Sequence, residues 1–561
     1  MRLGILGGRI YDPLNGKNGE TGDIWIEDGR VVAAEEADRE GAQVVDATGL
    51  VVMPGGVDIH AHIVGGEVNI GRKLRPEEHR GRERTFTADL RSGTGGTVPS
   101  TFETGYLYSA LGYTTVMQAS APPLVVRHAH EELEDTPNID KGLYVVMGNN
   151  HFIMQAIADG QPERAKDYVG WLLDASKGYA IKIVNPGGVE NWKWGKNVGE
   201  LDDEVIGYGV TPRQILETLA WIADELGLPH SIHVHGINLG RHTSARTSIE
   251  TIKTLEGLRH HLCHLQFLSY GSGSGHVHRS EAAVVAEAVN ASPTTTVDIG
   301  QLIFGPATTM TCDGPLQHAL YETTHGRWVN ADVECETGGG VVPITYKAKN
   351  PINATMWAAG LELFLLIDDP WRVYLTTDHP NAGRFVDYPQ VIALLMDREY
   401  RMRMFSTIHP LARKRSLLRE LDREYTLSEI AVVTRAGPAR TLGLTQKGHL
   451  GVGADGDVAV YEEQDDKEAM FARPRYVYKG GELVARDGVP LAHVEGRCFS
   501  VAPSYDPDIV DSYVRPYFDD AYSVQFENYA VINGAPETTL VPCEKGGSDG
   551  RGHMSQRRVP S

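Results

Sequence analysis

His60 and His62 stand two residues apart in Pro54-Gly-Gly-Val-Asp-Ile-His-Ala-His62. On a strand, that spacing turns both imidazoles to one face. Two neutral imidazoles there can share one metal or begin a pair of sites. The same pair also occurs packed in a core or on a polar surface, so a bare His-x-His decides nothing. Four further apolar runs end in reactive side chains. Lys182 lies in Tyr179-Ala-Ile-Lys-Ile-Val184, and His233 and His235 close Ser231–His235. His264 lies in His261-Leu-Cys-His-Leu-Gln266, and Asp378 in Leu375-Thr-Thr-Asp-His-Pro380. Imidazole, amine and carboxylate at five run ends are far more specific together than any one motif.

Lys182, between Ile181 and Ile183, is costly if charged and unpaired on a central strand. It can pair with an acid or snorkel outward. It can form a Schiff base, as in barrel aldolases. Or it can take up CO2, which turns the cation into an anionic two-oxygen group able to bridge two metals. Four histidines, an aspartate and such a bridge would fill a binuclear site. The Schiff base leaves the histidines unexplained, so the carboxylated form ranks above it.

These groups need a scaffold that gathers strand ends. From Met53 onward, short β-type runs alternate with helical patterns. The predicted strands are Val57–His60, Thr114–Met117, Leu143–Met147, Ala180–Val184, Ser231–His235, His261–Gln266, Thr295–Ile299 and Val373–Thr377. Predicted helices include Thr211–Leu226, opened by a Thr cap and Pro212, as well as Glu281–Asn290 and Pro389–Met396. Eight such runs imply a closed parallel (β/α)8 barrel of the α/β class, with reacting groups at the C-terminal strand ends. Residues 1–53 read as short strands and turns, with a hairpin at Asp28-Gly29, and the same grammar returns after about residue 446. The expected organisation is a small β-sandwich domain from 1–53 plus 446–500, a barrel over 54–445, and an extension over 501–561. Lys545 to Ser561 of that extension have the composition of disorder. Three long connections, Gly65–Ser109, Asn185–Thr211 and Gly300–Asn353, are expected to be lids or partner surfaces. The glycine clusters Gly271–Gly275 and Gly338–Gly340 lack a phosphate loop's Gly-Lys-Ser/Thr ending and read as loops.

The 561-residue chain has room for two or three domains. With 74 acidic against 53 basic residues it carries −21, which argues against nucleic acid or anionic membrane as a partner of the whole surface. Its five cysteines (Cys263, Cys312, Cys335, Cys498, Cys543) show no Cys-x-x-Cys spacing, which fits a reducing compartment. No apolar run reaches membrane length and no signal-peptide core is seen, so a cytoplasmic protein is expected.

His-x-His on a first strand, lysine on a fourth, histidines on the fifth and sixth and aspartate on the eighth resemble the amidohydrolase superfamily. Within it the chain resembles the alpha (A) subunits of formylmethanofuran dehydrogenase and of the bacterial formyltransferase/hydrolase complex. The segments that carry this are Val68-Asn-Ile-Gly-Arg-Lys-Leu-Arg-Pro-Glu-Glu-His79, Leu111-Gly-Tyr-Thr-Thr-Val-Met117, Pro137-Asn-Ile-Asp-Lys-Gly142, Met147-Gly-Asn-Asn150 and Thr376-Thr-Asp-His-Pro-Asn-Ala-Gly-Arg-Phe385. Tyr522–Tyr529 is similar too. The resemblance runs from near the N-terminus to about residue 500. It implies two zinc ions, one held by His60, His62 and Asp378, the other by His235 and His264, with N6-carboxylated Lys182 and a hydroxide between. His235 is preferred to His233 because the family's ligand precedes a short turn like His235-Gly-Ile-Asn-Leu-Gly240. The implied reaction is reversible hydrolysis of the N-formyl group of formylmethanofuran or an analogue to formate and amine, with Asp378 moving the proton. The implied partners are the other subunits of a one-carbon complex, either an archaeal dehydrogenase or a bacterial formyltransferase/hydrolase.

Arg72 and Arg75, in the loop after the first strand, are expected to meet substrate carboxylates or to pair with Glu77 or Glu78. Asn149 and Asn150 are expected to bind substrate amide groups or to make a turn. A dihydropyrimidinase or hydantoinase-type cyclic amidase would share the metal site but not the segments around Arg72 and Asn149. A metal-free scaffold protein within the complex is the remaining alternative.

Overall fold

Eight short runs rich in Val, Ile and Thr form parallel strands around one axis. They are β1 (Gly56–Ala61), β2 (Tyr113–Ala121), β3 (Asp140–Val146), β4 (Ala180–Val184), β5 (Ile232–His235), β6 (His260–Leu262), β7 (Thr295–Asp298) and β8 (Val373–Tyr374). Each pairs in parallel with the next. The ring closes where Ala61 bridges His379, with His62 N–H donating to the His379 carbonyl at 2.6 Å. This computed structural model describes the chain except residues 272–278, 334–336, 523, 530, 532–536 and 545–561. Cys335, most of Gly271–Gly275 and the tail Lys545–Ser561 therefore lie outside the described residues.

All eight predicted strands are present, several with different bounds. β2 runs four residues further, to Ala121. β6 stops at Leu262, because Cys263 and His264 leave the sheet and His264 turns left-handed at φ 39°. β8 ends at Tyr374, and the chain continues irregularly to Asp378, itself at φ 46°. The strands are buried on both faces, as expected of a parallel sheet covered by helices. The helix Pro212–Glu225 begins where predicted: Thr211 and Gln214 form a capping box and Pro212 occupies the first turn.

A second sheet of nine strands is built from both ends of the chain. Val51–Pro54, just before β1, pairs antiparallel with Val458–Tyr461. Leu3, Ile5, Ile26, Val52, Val458 and Val460 are among the buried residues of its core. The chain then returns to the barrel, where Cys498–Ser500 pairs in parallel with β3.

A buried charge network joins the two sheets. Asp140, the first residue of β3, meets Lys479 at 2.8 Å and Arg497 at 2.9 Å, and also pairs with Lys447. Lys447 reaches Asp455 at 2.8 Å and Asp457 at 2.5 Å as well. Burial raises a carboxyl's pKa, but Lys447, Lys479 and Arg497 outweigh it and hold Asp140 well below the usual carboxylate range. A group whose folded pKa lies below its unfolded value of about 3.9 stabilises the fold above that value. Its contribution fades as pH falls through about 4 toward the folded value. Asp140→Asn is expected to cost about 3–5 kcal/mol at neutral pH, since it strands buried cations. It should also flatten the acid limb of a plot of denaturation midpoint against pH; an unchanged limb would remove Asp140 as its source.

The long Gly300–Asn353 connection holds structure of its own. Gly305–Thr311, Val329–Val333 and Thr337–Tyr346 form an antiparallel three-stranded sheet, with the helix Gly314–Thr324 between the first two. Gly338–Gly340, a loop by composition, lies within the last strand. A Cβ on Gly340 would approach Gln317 Cβ to 2.7 Å, so glycine lets that helix sit against the strand. No helix among the described residues is long and apolar enough to cross a membrane.

Candidate metal centre

The C-terminal ends of β1, β4, β5, β6 and β8 converge on one cavity of about 670 Å3, lined at its base by His60, His62, Lys182, His235, His264 and Asp378. Asp378 Oδ1 lies 3.1 Å from Nε2 of both His60 and His62. Asn381 Nδ2 donates to the same oxygen at 2.9 Å. On the other side, His264 Nε2 is 3.1 Å from His235 Nδ1. Donor atoms of His60, His264 and Asp378 all fall within 4.8 Å of one another.

Lys182 is buried beside these rings, with its Nζ 3.2 Å from Cys263 Sγ. Among the described residues no carboxylate lies within ion-pairing distance of it, which removes the ion-paired reading there. Its positive charge acts to lower the pKa of the nearby His60, His62, His233 and His264 rings. Burial and His235 push His264 well down. Burial also lowers His60, but Asp298 and Asp378 outweigh it and leave that ring well above its usual value. Against burial, His60, His62 and His264 hold Asp378 well below the carboxylate range.

The fit to metal can be tested on these contacts. His264 Nδ1 is buried without a hydrogen-bond partner among the described residues, and His60 Nε2 has only the Asp378 carboxylate at 3.1 Å, shared with His62. A buried polar atom left unpaired costs about 1–3 kcal/mol. Imidazoles and a carboxylate converging in a cavity form an N/O donor set suited to zinc. A buried amine with no counter-anion among them is relieved if it becomes an anion. The residues present fit a metal site.

The order of the side chains follows from strand register. Lys182 pairs with His233 and Val184 with His235, so His233 sits one layer deeper in β5 than His235. His233 Nε2 lies 3.2 Å from His60 Nδ1 and its Nδ1 lies 3.1 Å from His230 Nε2, inside the barrel. His235 lines the cavity.

Four further predicted residues sit differently. Arg75 reaches the cavity wall, where it pairs with Glu78 at 2.7 Å and donates to the Ala307 and Ile344 carbonyls. Arg72 lies off the cavity and is engaged by the Pro99 and Ile63 carbonyls, Asn69 and Glu132. Asn149 is buried and donates to the Val184 carbonyl at 2.8 Å. Asn150 caps the helix His151–Ala158 and donates to Tyr168 and Tyr529. The polar atoms of Arg72, Asn149 and Asn150 thus hold the surrounding loops.

Two carboxylates behind the imidazoles fall outside the sequence pattern. Asp298, at the end of β7, accepts from His60 Nδ1 at 2.9 Å and from the His264 backbone N–H at 2.6 Å. His261 Nε2 also meets it, at 3.1 Å. Asp298 stands near the end of the predicted strand Thr295–Ile299 as a buried carboxylate, a signal the reading of strand ends passes over. Asp313 lies in the long connection after β7, where spacing says nothing of its target; its Oδ2 is 3.1 Å from His235 Nε2.

The chain, with its eight-stranded parallel barrel and its candidate ligands at the C-terminal strand ends, belongs to the amidohydrolase family, whose profile matches residues 43–485. It is 47% identical over 553 residues to Protein FwdA of Methanocaldococcus jannaschii, covering 95% of this chain and 97% of that one. It is 39% identical over 552 residues to the A-type component of the formyltransferase/hydrolase complex Fhc of Methylorubrum extorquens, covering 96% and 98%. Its fold matches a chain in the crystal structure of the FhcABCD complex with methylofuran from that organism, with a TM-score of 0.91 at 38% identity, over 97% of this chain and 100% of the other.

Proposed function

We propose that the chain hydrolyses, reversibly, the N-formyl group of a furan-type one-carbon carrier to formate and a free amine, as one member of a cytoplasmic multi-subunit complex. The observation that carries this reading is the convergence of His60, His62, His235, His264, Asp378 and an anion-free Lys182 on one cavity. The carrier and the complex are supported by likeness to the Fhc protein, whose complex was crystallised with methylofuran.

Two zinc ions, when bound, would supply a nucleophile from water near neutral pH and polarise the formyl oxygen. His60, His62 and Asp378 would hold one ion and His235 and His264 the other, with Lys182, as its CO2 adduct, a further anionic ligand. Asp378, kept ionised by its imidazole neighbours, accepts the proton of the attacking water and delivers it to the leaving nitrogen. The C–N bond breaks as the new C–O bond forms, leaving formate and amine. Asn381 fixes the Asp378 carboxylate through its 2.9 Å hydrogen bond. Arg75 stands in the wall above, placed to meet an anionic group of the carrier.

Purified chain loaded with zinc should release formate from an N-formyl furan carrier, lose that activity when the zinc is chelated, and leave hydantoin and dihydropyrimidine rings intact. Hydantoin turnover without formate release would replace this reading with that of a cyclic amidase.

A further inference from the structure

Asp313 is the N-cap of the helix Gly314–Thr324, and its Oδ1 accepts from the Leu316 backbone N–H at 3.2 Å. A cap needs only that oxygen. The other, Oδ2, reaches His235 Nε2 at 3.1 Å. Oδ1 also accepts from Asn185 Nδ2 at 3.1 Å, and the Asp313 N–H donates to Thr311 Oγ1 at 3.2 Å. The residue is 3% exposed, so its carboxylate cannot swing away into solvent. It is thus tied at once to the residue after β4, to an imidazole of β5 and to a helix whose Leu316, Gln317, Leu320 and Thr323 line the cavity wall.

The opposite ring nitrogen faces the site: His235 Nδ1 lies 3.1 Å from His264 Nε2. A carboxylate accepts but cannot donate, so an ionised Asp313 requires the His235 proton on Nε2. That leaves the Nδ1 lone pair directed at the cluster. Carboxylate partners of this kind fix the ring and raise its basicity as a ligand.

We propose that Asp313 is a positioning residue for the His235 half of the centre, and that it makes the cavity-wall helix and that metal position one mechanical unit. This rests on the binuclear reading above. Asp313→Asn separates the two roles of the side chain. Asparagine caps helices as well as aspartate does, so the helix is kept. Its Nδ2 would donate where Oδ2 accepted, forcing the His235 proton onto Nδ1 and turning the lone pair away. Asp313→Ser also caps but is too short to reach the ring.

The test is zinc per full-length chain, by elemental analysis after equilibration with chelators of graded strength, with circular dichroism as the check on folding. Wild type is expected to hold two ions. Folded Asp313→Asn and Asp313→Ser should keep one tightly and bind the other about 10- to 100-fold more weakly. Either folded variant holding both ions as tightly as wild type would reduce Asp313 to a helix cap and overturn the proposal. Wild type holding fewer than about one ion per chain would instead overturn the binuclear reading beneath it.

Discussion

Lys182→Ala is expected to abolish binuclear metal binding and to lower formate release by about 10³-fold or more, the scale set by losing a metal-activated nucleophile. The reason is electrostatic. Lys182 is buried near His60, His62, His233 and His264 and acts to lower the pKa of each. An amine left as a cation would repel any metal these rings could hold. Its hydrogen-bond partner among the described residues is the Cys263 thiol at 3.2 Å, which supplies no compensating charge. As the CO2 adduct the same side chain becomes an anion and attracts two metals. Alanine removes both states and opens a space the size of the adduct's chain. Short carboxylic acids or excess bicarbonate should therefore restore part of the activity and of the second metal. Metal analysis and formate assays on the variant, with and without acetate, check both points. A variant that keeps two zincs and full activity would return Lys182 to the role of a buried structural lysine.

The barrel is legible in the sequence because a parallel strand buried on both faces must be a short continuous run of β-branched residues. Ala180-Ile-Lys-Ile-Val184 shows this, fully buried as β4. A cation in that run has no cheap structural explanation, so Lys182 stands out from sequence alone. The ligand-bearing turns are less legible. His264 reads as part of a strand, whereas it lies beyond β6 with φ 39°, a conformation that no periodicity announces. Its backbone N–H is held there by Asp298, whose own significance depends on a contact 34 residues away in sequence.

Height along a strand is equally hidden. His233 and His235 share a face by their spacing. Which of them reaches the cavity depends on the register of β4 with β5, a tertiary property. Arg72, Asn149 and Asn150 show a further limit of reading loops from sequence. Polar residues in loops near a site look available for substrate, yet a buried loop must first satisfy its own carbonyls and helix ends. Arg72 donates to two carbonyls and Asn150 caps a helix, so little of either remains for a ligand. Arg75, three residues on from Arg72, reaches the cavity wall while still holding two carbonyls.

Asp378→Asn is expected to lower kcat by about 10² to 10⁴-fold, the range for removing a positioned general base and acid. In the wild type, one oxygen of Asp378 faces two imidazole nitrogens at 3.1 Å and one amide donor at 2.9 Å. A neutral asparagine can accept from that side but can take no proton from water. The loss should therefore fall on kcat more than on KM, because the cavity wall that binds the carrier is untouched. Binding of the ion on the His60 side should weaken as well, so the assay is made at saturating zinc to separate the two effects. Under that condition a variant that recovers full kcat would show that Asp378 serves as a ligand alone. A kcat that stays low with both ions bound would identify Asp378 as the group that carries the proton.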